Sequence, residues 1–261
     1  MHLGTSSVLR LGVPLGLAVL GALAYGRLSR CETASRPERG ASSAASSTQA
    51  PAILVELFSS EGCSSCPPAD VLLREFDEAR TVSGARVVAL EFHVDYWDDL
   101  GWKDPFSREA WSDRQRSYTS AGVGGMYTPA MIVDGRDAFV GSDSGRARAA
   151  LGRAAKRAHV DVQLTRAGSA LQVVVPKIAG PTASAWLAVS ERGLWTNVER
   201  GENAGQRLLH GPVVRSLQRI SGDLSRGLEL TLPLAEEKGR LSFAVFVQRN
   251  ESREVFGAAA L

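Results

Sequence analysis

The stretch Ile53-Leu54-Val55-Glu56-Leu57-Phe58-Ser59-Ser60-Glu61-Gly62-Cys63-Ser64-Ser65-Cys66-Pro67-Pro68-Ala69-Asp70 decides how the chain is read. Its first six residues are a nearly continuous apolar run, as in a strand buried on both faces. Beyond the cysteines, Ala69, Leu72, Leu73, Phe76 and Ala79 recur on one side of a helix. The spacing puts Cys63 at the strand-to-helix junction and Cys66 one turn on, on the same face, where two sulfurs can close onto each other. Free amides and the positive end of the helix dipole there favour a thiolate. An exposed, acidified Cys63 would attack a partner disulfide, and a more buried Cys66 would resolve the mixed disulfide. The alternative is a static disulfide that ties down the helix start. Pro67 and Pro68 fall in the first turn, where a missing N–H costs least.

Working outward, RVVALEFH (86–93) predicts a second strand. Asp104-Pro105 opens a helix with a cap and a first-turn proline, running to about Ala121 and ending at Gly122. Met126 to Val133 reads as a third strand carrying Pro129, and the Asp134-Gly135 turn leads to a fourth around residues 138–140. Ser142 or Asp143 caps a last helix that ends near His159. The order β-α-β-α-β-β-α is that of an α/β thioredoxin-like fold, assigned to residues 51–159. After His159 the texture changes to short alternating runs at 160–164, 171–175, 186–189, 228–232 and 241–247, separated by turn residues. They predict a small β-rich, sandwich-like domain over 160–261.

Two further constellations belong to the dithiol. Pro129 follows a Gly-rich approach at the start of a strand; a cis Thr128–Pro129 bond would pack that loop beside Cys63. Thr128 would then offer backbone groups to an extended substrate, as in strand addition. An ordinary trans proline at a strand edge is the alternative. The segment FHVDYWDDLGW (92–102) leaves the same sheet edge as Cys63. His93 could tune the thiolate or move a proton, with Asp95, Trp97 and Trp102 around it. It could also join Cys63 and Cys66 as a ligand set for a soft ion such as Cu(I). The bland reading is that Tyr96, Trp97 and Trp102 fill a local core and His93 is simply hydrogen-bonded within it.

Composition narrows the classes. The 261 residues are 44% hydrophobic, enough to bury a sizeable core, and carry 30 basic against 28 acidic side chains with no basic block. That balance argues against a nucleic-acid partner. Three cysteines are too few for a disulfide-stapled scaffold, and no second ligand pair completes a structural zinc site. Arg10, the apolar run Leu11 to Leu20 and Ala22-Leu23-Ala24 read as a signal peptide over 1–24, with mature protein starting near Tyr25. An uncleaved signal anchor is the alternative, although Leu11 to Tyr25 is short against the ~20 residues of a comfortable span. Residues 25–50, rich in Ser, Ala, Arg and Glu, read as a disordered linker; Cys31 within it is an exposed thiol without an evident role. The body of the chain is therefore expected to be periplasmic or secreted, meeting the membrane only if the N-terminal segment stays uncleaved.

Several long motifs, in order, resemble the secreted thioredoxin-like family called domain of unknown function 1223. They are residues 55–70 quoted above, FHVDYWDDLGWKDPF (92–106), YTPAMIVDG (127–135), VGSD (140–143) and GENAGQRLLHGPVVRSL (201–217). Ser59 stands where the family usually has Thr, which retains the hydroxyl. The resemblance implies a thioredoxin-like fold, a C-terminal β domain and export; it supplies no substrate. It also raises 201–217 from a plain polar hairpin to a candidate contact surface, folding back toward the dithiol through His210 or Asn203.

The leading expectation is thus a thiol–disulfide oxidoreductase acting on protein thiols or disulfides, or with a redox partner protein, through Cys63, Cys66, Thr128 and Pro129 and without a cofactor. The competing classes are a copper-binding or metallochaperone protein using Cys63, Cys66 and His93, and a non-catalytic binding module on the same scaffold.

Overall fold

The computed structural model describes residues 50–234 and 240–261. The signal peptide or anchor, Cys31 and nearly all of the linker expected from the sequence lie outside the described residues. In chain order the elements are β1 (Ala52–Ser59), α1 (Pro67–Ala79), β2 (Thr81–Val82), β3 (Ala85–His93), α2 (Glu109–Ser120), β4 (Ala130–Val133), β5 (Asp137–Val140) and α3 (Ser144–Ala154). Then come β6 (Gln163–Ala167), β7 (Ala170–Val175), β8 (Ala183–Glu191), β9 (Trp195–Asn197), β10 (Arg207–Leu209), β11 (Val213–Ser221), β12 (Leu228–Pro233), β13 (Leu241–Arg249) and β14 (Val255–Ala260). The fold is mixed α/β, with one large mixed sheet and few helices.

β1 is buried along its whole length, as its apolar run requires. Alternation sends Ile53, Val55 and Leu57 toward α1 and α3, and Leu54 and Phe58 toward a second core with Phe92, Trp111, Tyr118 and Phe246. β1 and β3 run parallel in full register, Ala52 opposite Arg86 through Ser59 opposite His93. β4 lies antiparallel on the other side of β1, and β5 antiparallel to β4. α1 buries Ala69, Leu72, Leu73 and Phe76, but Ala79 turns out to solvent at its C-terminal end.

The sheet does not stop at residue 159. Its order is β14-β13-β8-β11-β3-β1-β4-β5, with β2 paired to β3, so ladder hydrogen bonds cross the expected boundary between 51–159 and 160–261. The junction is β11, which meets β3 in parallel with Val213 opposite Glu91. Among the described residues of this half, β12-β7-β6 forms the one separate sheet apart from the β9–β10 ribbon. It packs Leu164, Leu171, Val173 and Val175 onto Ala185, Leu187, Val245 and Val247 of the large sheet.

Two local expectations change. The helix expected from Asp104 begins at Glu109, because Asp104 spends its side chain on Phe106 N, Glu61 N and His93 and thereby caps a turn. The third strand begins at Ala130, since Pro129 has no N–H to pair and the glycines before it hold a loop. Asp143 does cap α3, accepting from Arg146 N at 2.9 Å.

Candidate functional site

The carboxyl ends of the parallel strands β1 and β3 place the candidate site, the usual location for ligands in open α/β sheets. Four residues beyond β1, Cys63 opens a turn closed by Cys66 N to Cys63 O at 3.1 Å. Cys66 is the N-cap of α1, with prolines in the first helical turn. The two cysteines form a disulfide. Pro129 stands at the matching end of β4, because Ala130 pairs with Phe58, and the Thr128–Pro129 bond is cis.

The expected exposure of Cys63 is not found: both cysteines are fully buried, and only Ser64 and Ser65 between them reach solvent. A segment from the far half of the chain is bonded to the same turn. Asn203 Nδ2 donates to Glu61 O at 2.8 Å and Cys63 O at 3.0 Å, and Ser64 N donates to Glu202 Oε2 at 2.9 Å. Gly201 lets this loop close on Trp102: a Cβ there would stand 3.0 Å from Trp102 Cβ, at a φ of +79°. Glu202 and Asn203 therefore fasten the 201–206 segment, here called the cap, to the turn that carries the disulfide.

Beneath the cap lies a buried network. Glu91 and His93, two apart on β3, share one face. His93 Nδ1 is 2.6 Å from Asp104 Oδ2, and His93 Nε2 is 3.0 Å from Glu91 Oε1. His210, just past β10, places Nε2 2.9 Å from Glu61 Oε1 and Nδ1 3.6 Å from Glu91 Oε1. Gly211 N donates to Glu91 Oε2, and Trp102 Nε1 donates to Glu61 Oε2 at 2.7 Å. Burial would lower the His93 pKa, but Asp104 and Glu91 hold it well above 6.5. Burial likewise opposes charge on His210, yet Glu61 and Glu91 lift it to about 9. Burial would raise Glu91, but the neighbouring imidazoles of His210 and His93 bring it to about 2. Asp70 on α1 goes the other way: burial and the Glu91 charge push it up to about 7, against a hydrogen bond from Ser59 Oγ at 2.6 Å and the nearby His93 and His210.

The residues singled out by sequence are only partly brought together. Trp97 packs beside Gly62 and donates through Nε1 to Thr128 Oγ1 at 2.8 Å, so it bridges the cysteine turn and the proline loop. Trp102 holds Glu61. Asp95 does not reach the site; its carboxylate accepts from Ser112 Oγ and fastens the post-β3 loop to α2. Cys63, Cys66 and His93 do not assemble as a ligand set, because the sulfurs are joined to each other and both His93 nitrogens face carboxylates. Glu61, Glu91 and Asp70 are not among the candidates drawn from the sequence. A signal existed for Glu91: a carboxylate two residues before a histidine in a strand otherwise apolar beyond Arg86.

The family model described as "Protein of unknown function (DUF1223)" matches residues 54–248. The crystal structure of protein AGR_C_4864 from Agrobacterium tumefaciens is 30% identical, with a TM-score of 0.65, over 80% of this chain and 93% of that one. A domain of the outer membrane lipoprotein Omp28 from Porphyromonas gingivalis matches 40% of this chain and 94% of that one, at 14% identity and a TM-score of 0.23. No curated protein matches.

Proposed function

The chain belongs to the DUF1223 family, and on that premise we propose that it is an exported, thioredoxin-like thiol–disulfide oxidoreductase. One observation carries the proposal: a Cys63–Cys66 disulfide in the turn from β1 to α1, at the same sheet end as Pro129. The order β3-β1-β4-β5, with β1 parallel to β3 and β4 antiparallel to β1, supports the thioredoxin-like assignment for residues 51–159. Export rests on the N-terminal sequence; among the described residues no helix is long and apolar enough to cross a membrane.

In the oxidised state the chemistry runs as follows. A substrate thiolate attacks Cys63 Sγ, the Cys63–Cys66 bond breaks, and Cys66 leaves as a thiolate that takes up a proton. A second substrate thiolate then attacks the substrate sulfur of the mixed disulfide. The substrate loses two electrons as its disulfide forms, and the protein ends as a dithiol. The reverse sequence reduces a substrate disulfide. Asn203 and Glu202 must leave Cys63 and Ser64 before a partner can enter, so opening of the 201–206 cap belongs to the cycle.

A second reading, a static disulfide, draws on the burial of both sulfurs. Trapping separates the two. Cys66→Ser should accumulate mixed disulfides with exported proteins, Cys63→Ser should accumulate almost none, and the wild type should oxidise a dithiol peptide stoichiometrically. Equal trapping by the two variants, or no dithiol oxidation, overturns the redox proposal in favour of the static bond.

A further inference from the structure

We infer that Glu91, His93 and His210 form a binding site for one divalent transition-metal ion, with zinc the ion the donor set fits. The inference is independent of the redox reading. Two imidazole nitrogens and one carboxylate oxygen suit Zn²⁺, which in open sites takes three protein ligands and leaves a fourth position to water or substrate.

Three observations converge. First, one donor atom from each residue lies within 4.8 Å of the others. His93 Nε2 and His210 Nδ1 stand 3.0 and 3.6 Å from the same oxygen, Glu91 Oε1. Ligand atoms about 2.0–2.1 Å from a tetrahedral ion sit roughly 3.3 Å apart, so these spacings are near those of a filled site. Second, His210 Nδ1 is buried without a hydrogen-bond partner, in a side chain only 2% exposed, and it points at that oxygen. A buried imidazole nitrogen left unmatched among otherwise satisfied groups calls for a ligand.

Third, every outward atom of the three residues is already held. Asp104 fixes His93 Nδ1, Glu61 fixes His210 Nε2, and Gly211 N fixes Glu91 Oε2. This leaves His93 Nε2, His210 Nδ1 and Glu91 Oε1 turned inward. A carboxylate behind each imidazole is the arrangement that orients metal-bound histidines and raises their basicity. The ligands come from β3 and from the segment between β10 and β11, so the ion would also tie the cap-bearing half of the chain to the strand beside the disulfide.

The test uses full-length oxidised protein, treated with chelator, equilibrated with zinc or cobalt sulfate and desalted. The wild type should retain one ion per chain, and the Cys63→Ser/Cys66→Ser variant should retain the same. His210→Ala should lose it, and Glu61→Gln should bind ~10–100-fold more weakly. X-ray absorption on the zinc-loaded wild type needs no variant, so it decides the matter even where His210→Ala fails to fold. It should give only nitrogen and oxygen neighbours at about 2.0–2.1 Å. No retained ion in the wild type, a sulfur shell at about 2.3 Å, or undiminished binding by folded His210→Ala would overturn the site.

Discussion

Asn203 and Cys63, 140 positions apart in sequence, are joined by a 3.0 Å hydrogen bond from the Asn203 carboxamide to the Cys63 carbonyl. The same carboxamide holds Glu61 O, and the side chain is 1% exposed. A single residue of the C-terminal half therefore fixes both sides of the turn that leads into the disulfide.

Asn203→Ala removes both bonds and leaves two carbonyls to find water. Net losses of ~1 kcal/mol per bond translate into roughly a tenfold or greater rise in the open population of the cap. Reduction of the Cys63–Cys66 disulfide by dithiothreitol, followed by quenched alkylation, should accelerate by about that factor. An unchanged rate would mean that the 201–206 loop does not limit access.

What the sequence made legible follows physical range. β1, α1, β3 and the junction carrying Cys63 and Cys66 announce themselves because burial on both faces, helical spacing and the Cys-x-x-Cys are all local patterns. The cis Thr128–Pro129 bond was legible as a proline at a strand start. Asp104 misled, because Asp-Pro is a good helix opening and nothing local reveals that His93 and Glu61 N compete for its carboxylate. β11 was hidden: VVRSLQRIS (213–221) is only partly apolar, and its pairing to β3 through Val213 and Glu91 is a long-range event. The expected domain boundary followed from that omission. Asn203 and His210 came into view only through the resemblance of the 201–217 motif, since a lone Asn or His in a polar hairpin carries no signal.

Asp70 sets a pH dependence with a definite sign. Its folded-state pKa of about 7 exceeds the ordinary 3.8, so between those values the folded protein keeps a proton that the unfolded chain releases. Stability from this group is therefore full below pH ~4 and is lost as pH rises toward 7, by up to about 4 kcal/mol. In chelator-treated protein, Asp70→Asn should be more stable than wild type at pH 8 and about equal to it at pH 4, measured by urea unfolding. A difference that stays constant with pH would contradict the assignment.

Gly135 pins the β4–β5 turn to the β13–β14 hairpin. Asp134 and Gly135 both have positive φ, 49° and 64°, the pair that a tight type I′ turn requires. A Cβ on Gly135 would fall 2.0 Å from Arg253 O, a backbone atom with little room to retreat. Gly135→Ala should cost roughly 2–4 kcal/mol, read from the urea midpoint. Gly168→Ala is the control, because its positive φ of 60° is in open space and brings only the local strain.

The Glu56–Arg114 pair makes the strongest stability prediction. Glu56 on β1 is fully buried, Arg114 on α2 is 8% exposed, and the Arg114 Nε–Glu56 Oε1 distance is 2.5 Å. Tyr118 Oη donates to the other Glu56 oxygen, and Gln248 Nε2 donates to Tyr118 Oη at 2.9 Å. The guanidinium also lies over the Phe92 and Phe246 rings, 5.5 and 5.2 Å from their centroids. Removing one charge strands the other in an apolar layer, so Glu56→Leu and Arg114→Met should each cost ~3–5 kcal/mol. Replacing both removes the stranded charge together with the desolvation cost of the pair. The double variant should therefore be more stable than either single variant, with a coupling energy of several kcal/mol in a double-mutant cycle followed by chemical unfolding. Strictly additive losses would mean that the two groups are solvated independently and that the pair does not hold α2 to β1.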